Sequence, residues 1–83
     1  MRFEMRMPDV ATNDSPVRII RWMVAPGRTV RRGEPLLEVE TDKATVEIES
    51  VRDGVLREVV IEAGNTASTG DIVAVIETAE AGG

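Results

Sequence analysis

The sequence predicts an all-β domain, a sandwich or flattened barrel of short strands built from two similar halves. Three observations carry this. Sliding the chain against itself by 37 residues lays Arg18–Thr41 (RIIRWMVAPGRTVRRGEPLLEVET) on Val55–Thr78 (VLREVVIEAGNTASTGDIVAVIET). In both copies, runs rich in β-branched residues stop at clusters of turn residues. No segment shows a convincing helical period. Two like halves around one small core imply a pseudo-two-fold axis.

Taken in order, a first strand near Phe3–Met7 precedes the repeat. The first copy opens with a strand over Arg18–Val24, which ends at the turn Ala25-Pro26-Gly27. A second turn, Arg32-Gly33-Glu34, leads into a strand over Leu36–Glu40. Next comes Thr45–Ser50, where Val46 and Ile48 alternate with Thr45, Glu47 and Glu49, the pattern of a half-buried strand. The second copy repeats the plan: a strand over Val55–Ile61, turns at Glu62-Ala63-Gly64-Asn65 and Thr69-Gly70-Asp71, and a strand over Ile72–Glu77. Gly27 matches Gly64, Thr29 matches Thr66, Gly33 matches Gly70, and Glu40-Thr41 matches Glu77-Thr78. Apolar Val24, Leu36 and Val39 match Ile61, Val73 and Ile76.

Eighty-three residues support one small domain with a modest core. Phe3 and Trp22 are the only aromatics, so aliphatic side chains and methionines must fill the interior; Trp22 reads as packing. The absence of cysteine removes thiol nucleophiles, thiolate metal sites and disulfides, and the absence of histidine removes the commonest base and metal ligand. A net charge of −5 argues against nucleic-acid binding; Arg31-Arg32, the densest positive spot, reads as a solvated turn. No apolar run reaches membrane length and no signal-peptide core is present, which points to the cytoplasm or, in a eukaryote, the mitochondrial matrix. Residues 1–78 are expected to form the domain, monomeric when isolated, and 79–83 a flexible tail or the start of a small-residue linker.

One residue stands apart. Beside nine arginines the chain has a single lysine, Lys43. Lysine alone offers an amine that can become an amide nitrogen, whereas arginine is locked as guanidinium. About four residues join the flanking strands, a hairpin length, and the lack of glycine there disfavours the primed two-residue turns in favour of a type I turn. The two-fold places this hairpin at the end of the domain opposite the tail. A catalytic lysine needs a lowered pKa, from burial or neighbouring cations. Glu40, Asp42 and Glu47 flank Lys43 instead and favour its protonated form, which suits the substrate of a modifying enzyme better than a catalyst.

The stretch Glu38-Val39-Glu40-Thr41-Asp42-Lys43-Ala44, followed by Thr45-Val46-Glu47-Ile48, resembles the lipoyl-attachment motif of lipoyl domains. These belong to the acyltransferase component of 2-oxo acid dehydrogenase complexes, and the similarity extends from Met7-Pro8 through Trp22, Gly27 and Gly33 to Ile76. The resemblance implies a flattened barrel of two four-stranded antiparallel sheets. It also implies lipoic acid in amide linkage on Lys43, attached by a lipoate ligase or lipoyl transferase. The arm would be acylated at a thiamine-diphosphate-dependent decarboxylase, deliver to coenzyme A at the acyltransferase core, and be reoxidised by dihydrolipoamide dehydrogenase. The redox sulfur then comes with the cofactor. The resemblance further assigns recognition by the modifying enzyme to Glu40, Asp42, Ala44 and Gly27. Repetition of Glu40 and Gly27 as Glu77 and Gly64, in a half without lysine, favours a turn role for Gly27.

A biotinyl carrier would share the fold and hairpin, but that family flanks its lysine with methionines where Asp42 and Ala44 stand here. An unmodified barrel-sandwich adaptor is the reading from another class. The chain departs from the lipoyl pattern in residues 9–16, where a glycine usual after Met-Pro is missing; in the family this loop lies beside the lysine hairpin and bears on partner choice. Val51 replaces a common proline, and Asn13-Asp14-Ser15 is a formal glycosylation sequon that reads as a turn.

Overall fold

Period-two burial marks two of the strands. In the computed structural model, which describes residues 1–10 and 15–78, every second residue of β5 (Thr45–Glu49) and of the first half of β2 (Val17–Trp22) turns inward. The other strands are β1 (Arg2–Arg6), β3 (Thr29–Val30), β4 (Pro35–Glu40), β6 (Gly54–Val59), β7 (Thr66–Ala67) and β8 (Ile72–Glu77). They form two four-stranded antiparallel sheets, ordered β1-β8-β6-β3 and β5-β4-β2-β7. Six of these strands are the expected ones, with ends shifted by at most two residues and Ile72–Glu77 unchanged. The two-residue strands β3 and β7 were not expected. Met23-Val24 and Val60-Ile61 curl out of their strands into the turns, with the Met23 amide on the Leu36 carbonyl and the Val60 amide on the Val73 carbonyl, both at 2.8 Å.

The 37-residue repeat is a physical two-fold. Ile19, Val30, Leu36 and Val39 are fully buried, and so are or nearly so their mates Leu56, Ala67, Val73 and Ile76. Each large aliphatic side chain of this set contributes roughly 1.5–3 kcal/mol by leaving water. The β-bulges obey the same symmetry. One interrupts β2 between Ile19 and Arg21, and its mate interrupts β6 between Leu56 and Glu58. Another falls between Pro35 and Leu37 of β4, and its mate lies at the β1–β8 pairing, where Met5 and Arg6 face Ala74 and Ile72. Bulges bend a strand and let two successive residues face the core. Leu36-Leu37 and Val73-Ala74 are those residues, all fully buried.

The connectors before β2 and β6 break the symmetry. Residues 7–16 join β1 to β2, ten residues, whereas residues 50–53 join β5 to β6, four. Residues 11–14 of the longer connector lie outside the described residues, and with them half of the 9–16 loop and two residues of the sequon; residues 79–83, the expected tail, lie outside them as well.

Register fixes where the lysine hairpin stands. Across one sheet runs the row Thr45–Glu40–Arg18–Thr66, at the base of the hairpin. Its mate in the other sheet is Arg2–Glu77–Val55–Thr29. Thr29-Val30 leads through residues 31–34 to Pro35, and β4 then runs its full length to reach Glu40. The two rows therefore close opposite ends of a barrel with principal extents of 37 × 21 × 19 Å. Thr78, the last described residue, is at the end away from Lys43.

Candidate functional site

The β4–β5 hairpin turns through Thr41-Asp42-Lys43-Ala44 with no positive φ at any of them, so the primed turns are excluded as the lack of glycine foretold. The tip is held by a hydroxyl. The Thr41 amide donates to the Ala44 carbonyl at 2.8 Å, and Thr41 Oγ1 donates to the same carbonyl at 2.9 Å. That oxygen in turn accepts from the amides of Lys43 at 3.2 Å and Ala44 at 3.0 Å. Such side-chain turns are what threonine offers a chain that needs to reverse without glycine. Thr41 is half-buried, whereas Asp42, Lys43 and Ala44 are exposed.

Lys43 thus projects from an ordered tip into solvent. Among the described residues no salt bridge engages its ammonium. The carboxylates that flank it in sequence are spent elsewhere or face water: Glu38 accepts from Arg21 Nε at 3.1 Å, and Glu40 and Glu47 are exposed on the outer face of their sheet. Glu40 sits opposite Arg18 in register yet makes no ion pair with it. Its two-fold mate Glu77, by contrast, binds the Met1 ammonium at 2.6 Å. The clefts along the β1–β5 seam and around Trp22 contain none of residues 40–45. Among the described residues no cluster of acidic, histidine or cysteine side chains is set to hold a metal.

The expected recognition residues separate into two groups. Glu40, Asp42 and Ala44 surround Lys43, with Ala44 contributing its backbone to the turn. Gly27 does not. Its φ is 95°, its amide donates to the Leu56 carbonyl at 2.7 Å, and it lies next to the Thr29–Val55–Glu77 row at the far end. Gly64 repeats both features, with φ 94° and an amide on the Ile19 carbonyl at 2.8 Å. A left-handed backbone that only glycine adopts without strain accounts for both, and it is Gly64 that stands near the lysine hairpin. Sequence reasoning missed Thr41. Its signal was present in a Thr at the start of a glycine-free turn.

A lone amine on a glycine-free hairpin, two four-stranded sheets and an internal two-fold are now in place, and comparison with known proteins agrees with them. A biotin/lipoyl family model, described as "Biotin-requiring enzyme", matches residues 3–76. The chain belongs to the biotin/lipoyl attachment family. This biotin/lipoyl domain is 37% identical over 81 residues to the dihydrolipoyllysine-residue acetyltransferase component of the pyruvate dehydrogenase complex of Staphylococcus aureus, covering 98% of the chain and 19% of that protein. It is 41% identical over 73 residues to the dihydrolipoyllysine-residue succinyltransferase component of the 2-oxoglutarate dehydrogenase complex of Bacillus subtilis, covering 88% and 18%. The domain therefore spans less than a fifth of the length of these relatives. Its fold matches the solution structure of the lipoyl domain of the 2-oxoglutarate dehydrogenase complex of Azotobacter vinelandii. That match has a TM-score of 0.71 and 28% identity over 90% of this chain and 96% of that one.

Proposed function

We propose that this domain is a lipoyl carrier and that Lys43 is its attachment residue, the domain forming part of a dihydrolipoamide acyltransferase of a 2-oxo acid dehydrogenase complex. The observation that carries the reading is the placement of the chain's only amine side chain on an exposed, hydrogen-bonded tip, at the end of the barrel away from Thr78. None of the described residues walls the amine in, so an amide-linked arm fits there without displacing any of them.

Attachment makes one bond. Deprotonated Nζ of Lys43 joins the carboxyl carbon of a lipoyl group activated by a lipoate ligase or lipoyl transferase, the activating group departs, and the ammonium charge disappears. Glu40, Asp42 and Ala44 are the surface such an enzyme meets first, and the uncommitted carboxylate of Glu40 is the group it can bind. When bound, lipoic acid supplies a dithiolane able to carry an acyl group and two electrons. The protein's part is to hold Lys43 clear of the barrel, so that an arm swings among the decarboxylase, the acyltransferase core and dihydrolipoamide dehydrogenase at high effective concentration. The relatives are acyltransferase components, which supports the lipoyl over the biotinyl branch, as does the lack of methionines beside Lys43. The same reading places it in the cytoplasm or, in a eukaryote, the mitochondrial matrix.

Intact mass of the protein purified from its native cells tests this. A lipoyl increment that vanishes in Lys43→Arg is expected. A biotinyl increment, or unmodified protein in cells with an active ligase, overturns it.

A further inference from the structure

We infer that Thr41 is the positioning residue that makes Lys43 presentable to its modifying enzyme; the inference rests on the carrier reading above. The hydroxyl plays two separable parts. As a donor it reaches the Ala44 carbonyl at 2.9 Å, closing the base of the turn. As an acceptor it takes the amides of Lys43 and Ala44, which orients the lysine backbone while leaving the side chain free. No other described group accepts from these two amides, and the Ala44 amide makes no bond to the Thr41 carbonyl. Threonine is β-branched and half-buried here, so its χ1 is stiff and the oxygen stays where the amides need it.

The barrel contains its own control. Thr78 is the two-fold mate of Thr41, and its amide and Oγ1 donate to the Met1 carbonyl at 2.7 and 3.0 Å, reproducing the bonds of Thr41 to Ala44. The donor part is thus a feature of the barrel, common to both ends. Among the described residues, the acceptor part occurs only at the end that bears the lysine. An enzyme that must capture one exposed lysine loses less entropy on binding when the backbone beneath it is already ordered. That favours an acceptor beneath the lysine.

The test compares Thr41→Val, Thr41→Ser and Thr78→Val in the full chain, with Thr41→Ala as a second loss-of-hydroxyl variant lacking the valine's bulk. Two readouts are taken: initial rates of modification by a lipoate ligase with lipoic acid and ATP, and backbone amide exchange at Lys43 and Ala44. Losing the hydroxyl is expected to lower kcat/KM about tenfold and to speed exchange of both amides about tenfold, while Thr41→Ser stays within about twofold of the parent. Thr78→Val is expected to be modified at the parental rate even where its melting temperature falls as far as that of Thr41→Val. Parental rates in Thr41→Val and Thr41→Ala, or an equal loss in Thr78→Val, overturn the inference. If the parent itself is never lipoylated, the carrier reading fails; unchanged amide exchange in the Thr41 variants then overturns the positioning role independently.

Discussion

The indole N–H of Trp22 donates to the carbonyl of Ile61 at 2.9 Å, tying the end of β2 in the first half to the end of β6 in the second. Val24 and Ile61 are two-fold mates, so the bond crosses close to the pseudo-symmetry axis. Trp22→Phe keeps most of the packed ring and removes only the donor, leaving a partly buried carbonyl short of a partner. The expected cost is about 1–2 kcal/mol, read by urea denaturation followed by circular dichroism, with modification of Lys43 unchanged. A neutral substitution would mean that the two halves are held by packing alone.

Two glycines divide by mechanism. A Cβ on Gly54 would fall against the Glu77 carbonyl oxygen, with Ile76 Cγ2 at 2.9 Å, whereas one on Gly27 meets open space and only the strain of φ 95°. Gly54→Ala is therefore expected to cost more than ~3 kcal/mol, because β6 must move away from β8. Gly27→Ala should cost about 1–2 kcal/mol from backbone strain. Both melting temperatures fall, and the order Gly54 worse than Gly27 is what calorimetry must return. Because Gly27 stands at the far end, its alanine variant is expected to be lipoylated at the parental rate once folded.

Glu38 and Glu47 face each other across β4 and β5, like charges on the outer face, with Arg21 relieving Glu38 from the other side. Glu47→Gln should raise stability by roughly 0.2–1 kcal/mol, an effect that shrinks as salt is added. A loss of stability, or a gain indifferent to ionic strength, would show that the pair is not repulsive.

How much of this was legible in the sequence follows from what each signal measures. Strands of five or six residues carry enough alternation to be seen, and the apolar matches at 37 residues disclosed the two-fold. Strands β3 and β7 have two residues each, too few for any period, although Thr29 and Thr66 matched across the copies. The bulges at Ile20 and Leu36 were invisible for a related reason: one added residue merely breaks an alternation, and composition does not say that the chain resumes pairing beyond it. Lys43 was readable as a candidate site because its chemistry is unique among the side chains of the sequence. The placement of Gly27 was not, because a repeat tells which residues are equivalent but leaves open which end of the barrel each one occupies.

Acidification offers another check. The Met1 ammonium holds the Glu77 carboxyl below the usual carboxylate range, through a hydrogen bond first and its charge second; desolvation opposes this, and Arg57 and Arg2 add to it. A carboxyl with a lowered folded-state pKa contributes stability that is complete above its unfolded pKa and is lost as pH falls through the folded one. Glu77→Gln should therefore melt below the parent at pH 7, and the gap should close as pH falls through and below the carboxylate range. A gap that persists in strong acid would contradict the ion pair.

The contact between Thr78 and Met1 has a wider consequence, since it copies Thr41 with Ala44 except that no peptide bridges it. The barrel is in effect a ring of eight strands with one link left open and another closed by Asp42-Lys43. Joining Thr78 to Met1 through two residues and cutting the chain between Asp42 and Lys43 should give a circular permutant with the same sheets. If those two residues are Asp-Lys, the permutant would carry a closed lysine hairpin at the other pole and Lys43 at its new N-terminus, and the fold would tell the two poles apart only by the loops around them.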